Sequence, residues 1–326
     1  MNTWHKLKWP LIALALVLLF NLLSTPGFFR VEIKNGHFYG SLIDILNRGA
    51  PVMLLSLGMT LVIATGGVDL SVGAIMAIAG AVAAMQVNAG HALPFVLAAS
   101  LGAAVAAGLW NGLLVGYFKV PPIVATLVLM VSGRGIAQLI TEGHHIRFNS
   151  PPFEFIGRGH FLGLPFAVTI VLVVFAMLAL LCTKTAAGLF IEATGDNEKA
   201  SRYAGVQTRL VQFVVYTICA LCAGLAGLIT TTNVQEADPS NTGVGLELDA
   251  ILATVIGGTA LTGGRFYLAG SLIGAILLQT ITTTILTRGV PVNWTLVVKA
   301  TVIIAVCLLQ SEKFRQLIWR RKISVL

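Results

Sequence analysis

Charged residues are scarce in this sequence, and their scarcity decides the class of protein. Only 10% of the 326 residues are Asp, Glu, Lys or Arg, whereas soluble domains carry about 25%. The mean hydropathy is +0.89, and stretches such as residues 167–181 are almost wholly apolar. A bilayer core admits only helices or closed barrels, and these runs are too long for the strands of a barrel. The composition therefore predicts an all-α polytopic membrane protein.

The sequence also lacks the motifs that common catalytic sites require. It contains no G-x-x-x-x-G-K-[ST] loop to hold nucleotide phosphates, no H-x-x-x-H zinc pair and no G-x-S-x-G nucleophile turn. We therefore expect no catalytic residue, no metal site and no cofactor bound by this chain, and we do not expect an enzyme. If ATP drives its activity, a separate polypeptide binds the ATP and Mg²⁺.

Windows of about 20 apolar residues predict about ten membrane spans. The eighth is short and fits either a half-helix or a re-entrant segment, so nine spans is the alternative. Lys and Arg are about twice as frequent in the loops on the N-terminal side, which places both termini in the cytoplasm. The predicted spans are residues 8–24, 43–65, 70–88, 92–117, 121–141, 162–182, 209–231, 246–258, 266–287 and 294–310.

The net charge is +8, and the distribution of the basic residues fits the predicted topology. The basic residues gather in short loops beside apolar spans and in the tail, residues 312–326. Such clusters contact lipid headgroups at the inner membrane surface. We therefore expect membrane lipid, and not nucleic acid, as the partner of this charge.

Two glycine-rich stretches share one pattern. Residues 66–73 read GGVDLSVG and residues 257–264 read GGTALTGG, so both fit G-G-x-x-L-[ST]-x-G. Each follows an apolar span and precedes a helix of small residues. Transporters often contain repeated halves with discontinuous helices beside the substrate path. The pattern predicts two related halves with broken helices, although chance recurrence of glycine-rich text is the alternative. The predicted break residues are Gly66, Gly67, Gly257 and Gly258.

Polar side chains inside the spans are candidates for the translocation path. We expect Asp69 to begin the third helix, where its charge suits the positive helix end; a hydrogen bond to a sugar is the alternative. Asn111 suits either a neutral sugar or helix packing. Arg134, Asp249 and Lys299 should face the bundle interior and find partners, or line water. We hypothesise that Asp249 and Lys299 form an ion pair.

Residues 184–208 form the only sizeable polar segment on the predicted inner side before the tail. Asp196 or Asn197 can cap a short helix there, with Gly195 before it and Gly205 ending it in the left-handed conformation. So short a helix is unstable alone in water and needs a docking surface. That surface is either the inner face of this chain or a cytosolic partner.

Several spaced motifs resemble those of one transporter family. Residues 193–206, ATGDNEKASRYAGV, resemble the coupling loop of permease subunits in bacterial ATP-binding-cassette (ABC) importers of the ribose type. Residues 65–73, 121–127 and 248–266 also resemble motifs of that family, with Phe266 replacing a glycine. The resemblance spans nearly the whole chain.

The resemblance implies a single transmembrane permease domain, residues 1–326, in the bacterial inner membrane. It implies a cytosolic ABC ATPase that uses ATP and Mg²⁺, a second permease that is identical or a paralogue, and a periplasmic sugar-binding protein. Similarity to permeases of galactofuranose importers implies that monosaccharide as the substrate. The implied ATPase-coupling residues in loop 184–208 are Gly195, Asn197, Ala200, Arg202 and Gly205.

A secondary sugar transporter, driven by protons or sodium, is the alternative function. That mechanism requires a titratable or ion-binding group on the substrate path. Asp69 and Asp249 are the only acidic candidates near the spans. The energy source of uptake separates the two functions.

Overall fold

The computed structural model describes residues 3–34, 36–289, 294, 297–301, 304 and 308. Helices dominate it, which confirms the all-α polytopic class. Seven helices within the described residues are long and apolar enough to cross a membrane. These are α1 (Thr3–Ser24), α2 (Ser41–Ala64), α4 (Leu93–Gly112, continued by a π-helical turn over Leu113–Tyr117), α5 (Pro122–Ile140), α7 (Phe166–Lys184), α10 (Thr208–Val234) and α12 (Leu268–Thr287).

Two further apolar helices are shorter. The third predicted span is α3 (Val72–Asn88), and the eighth is α11 (Leu246–Ile256). The eleven residues of α11 cover about 16 Å, roughly half of a bilayer core. An 11-residue helix fits both the half-helix and the re-entrant segment, so both interpretations stay open. Most of the tenth predicted span, and the whole basic tail, lie outside the described residues.

The remaining elements are short and connect the helices at the two ends of the bundle. We call the end that carries α8 and α9 the inner end and the opposite end the outer end, following the predicted orientation. Strand β3 pairs with β6 in antiparallel register, with Arg147 opposite Glu236. The inner-end elements are α8 (Ala187–Asp196) and α9 (Glu198–Tyr203), and the outer-end elements are β1 (Glu32–Lys34), β2 (His37–Tyr39), β3 (Ile146–Arg147), α6 (Pro151–Arg158), β4 (His160–Phe161), β5 (Leu164–Pro165) and β6 (Glu236–Ala237).

The core lies along α2, α3 and α10. Helix α2 is buried without interruption from Gly49 to Ala64. Glycines let its backbone approach α10, because a Cβ on Gly58 would lie 2.8 Å from the Cα of Cys219. Little hydrophobic force acts between helices in lipid, so close backbone packing stabilises them instead. The helices at the periphery of the bundle carry exposed apolar side chains that surround this core.

Both glycine pairs interrupt the helical structure, as predicted. Helix α2 ends at Ala64, and Gly66 has a φ of +80°. Helix α11 ends at Ile256, and Gly258 has a φ of +96°. Only glycine adopts this region without strain. The evolutionary relation between the two halves stays a prediction, but the breaks themselves are confirmed.

Candidate coupling site at the inner end

The short helix predicted in loop 184–208 is α9. The side chain of Asn197 caps it by accepting a hydrogen bond from the backbone N–H of Ala200 at 3.0 Å. Gly205, with a φ of +89°, follows its end. These local features confirm the predicted start and stop. The loop differs from the expectation in one respect, since a second helix, α8, directly precedes α9.

Gly195 does not break the chain before α9 but lies in the last turn of α8. A Cβ at this position would overlap the carbonyl oxygen of Ala64 and lie 2.5 Å from the backbone nitrogen of Gly264. The absence of a side chain at Gly195 therefore permits close packing between backbones. Helix α8 touches the end of α2 and the second glycine stretch at the same residue.

The two glycine stretches also touch each other at this point. The backbone N–H of Gly264 donates to the carbonyl oxygen of Ala64 at 2.9 Å. A Cβ on Gly263 would lie 2.8 Å from the carbonyl oxygen of Gly195 and 3.0 Å from the backbone nitrogen of Gly66. We call the contact among Gly66, Gly195, Gly263 and Gly264 the glycine junction. It joins α8, α2 and the segment before α12 through backbone atoms alone.

An ion-pair network ties α9 to the loop before α5. Glu198 accepts hydrogen bonds from Lys119 at 2.5 Å and from Arg202 at 2.6 Å. Lys119 also donates to the side-chain oxygen of Gln212 on α10, at 3.0 Å. Partial burial acts to raise the pKa of Glu198, but its contacts with Lys119 and Arg202 outweigh burial and lower that pKa below its usual value. The network therefore favours the ionised carboxylate at neutral pH.

A cavity of about 250 Å³ separates α9 from the first glycine stretch. The hydroxyl of Tyr216 approaches Gly67 so closely that a Cβ there would overlap it. The predicted break residues Gly66 and Gly67 thus face this cavity and the glycine junction, not lipid. The cavity is lined by Thr65, Gly66, Gly67, Val115, Lys119, Val120, Pro121, Pro122, Glu198, Gln212 and Tyr216.

The outward face of α9 is exposed. Tyr203 has 93% of its surface accessible, and Lys199, Ala200 and Arg202 are also exposed. The opposite face is anchored, because Ser201 is buried and its hydroxyl donates to the carbonyl oxygen of Ala193 at 2.6 Å. Helix α9 therefore packs on this chain with one face and leaves the other open.

Asp69 and Asn111 lie in a sealed network inside the bundle. Asp69 accepts hydrogen bonds from the backbone N–H of Ser71 at 2.9 Å and from its hydroxyl at 2.6 Å. Asn111 donates to the same hydroxyl at 2.9 Å, and all three residues are fully buried. Helix α3 begins at Val72, so Asp69 precedes the helix instead of standing in its first turn. The short aspartate side chain closes a turn onto Ser71, which favours a packing role.

The remaining intramembrane charges have partners. Lys299 and Asp249 form an ion pair of 2.6 Å, with 13% and 20% of their side chains exposed, and this confirms the hypothesised pair. Asp249 stands in the first turn of α11. The guanidinium of Arg134 donates to the carbonyl oxygen of Thr242 at 2.5 Å. Arg134 thus binds the loop before α11, a partner that its sequence context did not indicate.

Gly257 does not reach the glycine junction. A Cβ on it would lie 2.5 Å from the backbone nitrogen of Ser271, so it packs α11 against α12. Gly258 supplies the left-handed turn that follows. In the second stretch, the glycines that meet α8 are Gly263 and Gly264, which sequence reasoning did not single out. Both have positive φ angles, +88° and +89°, a backbone region that glycine adopts without strain.

Comparison with known proteins finds relatives along nearly the whole chain. The model of a family described as the permease component of branched-chain amino acid transport systems matches residues 41–307. The chain is 51% identical to the galactofuranose transporter permease YtfT of Escherichia coli K12, over 96% of this chain and 94% of that protein. It is 38% identical to the fructose import permease FruF of Bifidobacterium longum, with 96% and 89% covered. It is 37% identical to the ribose import permease RbsC of Escherichia coli K12, with 92% of each covered. The chain therefore belongs to this family of transport-system permease components.

Proposed function

We propose that the chain is the membrane permease of an ATP-driven importer for a monosaccharide, with galactofuranose as the first candidate. The sugar-permease relatives support this substrate class, and the 51% identity to a galactofuranose permease supports that sugar. The importer works in a bacterial inner membrane and receives the sugar from a periplasmic binding protein. A second permease, identical or a paralogue, completes the membrane part.

The observation that carries the proposal is the position of α9. One face of α9 is exposed, and Gly195, three residues before its first residue, packs against the end of α2 at Ala64 and against Gly264 of the second glycine stretch. A cytosolic ATPase that binds the exposed face can therefore act on the ends of α2 and α12 directly. Packed protein transmits displacement with little compression, because interiors are close-packed. Backbone contact at Gly195 leaves no flexible side chain to absorb the movement.

The ATPase subunit supplies the energy in this proposal. ATP-driven closure of two ATPase subunits moves α9 and α8, and the glycine junction passes that movement to α2 and to residues 257–267. The helices then rock between outward-open and inward-open states around the sugar. Lys119 and Glu198 keep α9 attached to the loop before α5 during this movement.

Co-purification tests the ATPase contact. Replacing residues 197–203 with a Gly/Ser linker of equal length should abolish recovery of a cytosolic ATPase with the tagged permease. Tyr203→Phe is the matched control, since it preserves the helix and most of the exposed ring. Both variants are checked for normal membrane insertion and elution from size-exclusion chromatography. Equal ATPase recovery with the linker variant would contradict the proposal.

The ion-coupled alternative predicts that an ion gradient, and not ATP, drives uptake. It needs a titratable group on the path, whereas Asp69 is sealed in the bundle and Asp249 is paired with Lys299. Uptake in cells should survive an uncoupler and stop when ATP is depleted. Uptake that stops with the uncoupler at normal ATP levels would favour the ion-coupled transporter.

A further inference from the structure

The chain enters the bundle between β6 and α11 without forming a helix. Residues 238–245, here called the descending loop, follow β6 at the outer end and lead to Leu246, the first residue of α11. Along α5 the loop meets first Gln138, whose amide donates to the hydroxyl of Ser240 at 3.3 Å. It then meets Arg134, which binds the carbonyl oxygen of Thr242. The loop thus lies beside α5 at Arg134 and Gln138, which are about one helical turn apart.

The far end of the descending loop touches the start of α3. A Cβ on Gly243 would lie 2.6 Å from the carbonyl oxygen of Gly73, the second residue of α3. Arg134 itself is six residues before the end of α5 at Ile140, about 9 Å from that end. Three contacts therefore place the descending loop at membrane depth.

The described part of the chain covers this loop only in part, since Pro239 and Gly243 are buried and other positions are open. Asn241 is exposed, and Val244 has 62% of its surface accessible. Beside them on α5, Gln138 is also exposed. Non-helical backbone at membrane depth occurs only where protein buries it or where it lines water, because lipid cannot satisfy its polar groups. The exposed polar side chains of this face are better matched by water or by another protein than by lipid.

We infer that the face formed by the descending loop and α5 is one wall of the sugar passage, with Asn241 and Gln138 in contact with the sugar. The inference rests on the proposed function, both for the sugar and for the water-filled passage. Uncharged amides and hydroxyls are the groups that bind a neutral polyol through hydrogen bonds without a desolvated charge. The second permease forms the opposite wall.

Arg134 is a positioning residue in this arrangement. Its guanidinium donates to Thr242 and, at 3.5 Å, to the carbonyl oxygen of Pro239. It therefore satisfies carbonyl groups of the loop backbone and fixes the loop along α5. Asp238 stabilises the start of the descending loop by accepting hydrogen bonds from the backbone N–H groups of Ser240 and Asn241, each at 2.9 Å. These contacts hold residues 239–242, and the Asn241 amide also donates to the Asp238 carboxylate at 2.8 Å, while the Asn241 side chain stays exposed.

Cysteine accessibility in the complete transporter, expressed in cells, tests the passage. Asn241→Cys and Val244→Cys are treated with a charged, membrane-impermeant methanethiosulfonate reagent, and unreacted thiol is then counted. Leu172→Cys on the exposed face of α7 is the lipid-facing control, and His91→Cys in an outer turn is the water-facing control. The wild-type chain supplies the background from native cysteines.

We expect both loop variants to react on the order of tenfold or more faster than Leu172→Cys, because the reactive thiolate forms in water. Saturating transported sugar should slow the reaction of Asn241→Cys several-fold and leave His91→Cys unchanged. If Val244→Cys reacts as slowly as Leu172→Cys in a transporter that still imports sugar, the passage is refuted. Reaction without protection by the transported sugar refutes the sugar contact.

Failure of this inference differs from failure of the proposed function. Thiol reaction reports water at the loop and requires neither ATP nor an ATPase contact. Loss of ATP-dependent uptake in the wild-type chain would refute the proposed function while fast labelling of Val244→Cys still supported the passage.

Discussion

Gly264 donates its backbone N–H to the carbonyl oxygen of Ala64 at 2.9 Å, and Gly195 packs against both residues. A Cβ on Gly263 would lie 3.0 Å from the backbone nitrogen of Gly66, so the two glycine stretches, which look alike in sequence, also meet at the inner end. Because α9 begins at Glu198, three residues after Gly195, the segment proposed to bind the ATPase is continuous with this contact. The predictions below test this connection and the polar contacts around it.

Gly195→Ala should disconnect ATP hydrolysis from sugar uptake. The new Cβ would overlap the carbonyl oxygen of Ala64, so α8 must shift away from the glycine junction. Overpacking of this kind costs about 1–3 kcal/mol. We expect uptake to fall on the order of tenfold, the equivalent of about 1.4 kcal/mol, while ATPase co-purification is retained. Gly102→Ala on α4 is the matched control, since a Cβ there meets no atom within 4 Å. Equal uptake by both variants would rule out a role for the close packing.

Removing the Lys119–Glu198 contact should loosen α9 by a modest amount. Both side chains are about one-third exposed, so solvent screens the pair, and about 0.2–1 kcal/mol is expected. A double-mutant cycle with Lys119→Gln and Glu198→Gln, followed by thermal unfolding in detergent, measures the coupling. Additive effects of the two substitutions would show that the contact contributes nothing.

The same contact should weaken in acid. The folded chain lowers the pKa of Glu198, so its contribution to stability is present above the unfolded pKa and is lost as pH falls through the folded pKa. We expect ATPase recovery by the wild-type permease to decline in that acidic range. Glu198→Gln should show a smaller decline, because its side chain does not titrate. Identical pH profiles for the two chains would exclude Glu198 as the cause.

Charge reversal should reveal the Asp249–Lys299 pair. Asp249→Lys or Lys299→Asp alone places two like charges together in a largely buried site, and breaking buried pairs costs about 3–5 kcal/mol. Because the pair is partly exposed, we expect the loss of unfolding free energy to lie near the lower end of that range. The double swap should recover a substantial part of the lost yield and melting temperature in detergent. Absence of any recovery would count against the ion pair.

Asp69 should affect stability without changing sugar affinity. Asp69→Ala leaves the backbone N–H and hydroxyl of Ser71 without their acceptor, which costs about 1–3 kcal/mol in a buried site. Asp69→Asn keeps one acceptor oxygen and should cost less. We expect the most folded permease from the wild-type chain, less from Asp69→Asn and least from Asp69→Ala. The KM for sugar uptake should stay unchanged in both variants. A large rise in KM for Asp69→Asn would place this residue on the sugar path.

Much of the architecture was predictable because its signals are local. Hydropathy over about 20 residues predicted the class and the long spans. Asn197 and Gly205 marked α9 because capping and left-handed turns involve only neighbouring residues. The glycine pairs predicted helix breaks for the same reason. The Asp249–Lys299 pair followed from the cost of isolated charge in lipid, which makes a partner necessary.

The position of Asp69 required the tertiary structure. Its sequence context predicted a helix start, with a sugar contact as the alternative. Burial beside Ser71 and Asn111 decided among these, and burial depends on α4, which is distant in sequence. The same holds for Arg134, whose partners are carbonyl groups of the descending loop. Every residue carries such a group, so no side-chain pattern indicates which one an arginine will bind.

The amino-acid sequence by itself determined that this is a helical membrane protein with breaks at two glycine pairs and one capped inner helix. Only the tertiary structure decided that the two glycine stretches meet at Gly195 and that residues 238–245 descend along α5. The physical reason is that hydropathy and capping act over a few neighbouring residues, whereas these contacts join backbone atoms of distant segments. A glycine that permits such an approach has no side chain to identify its partner.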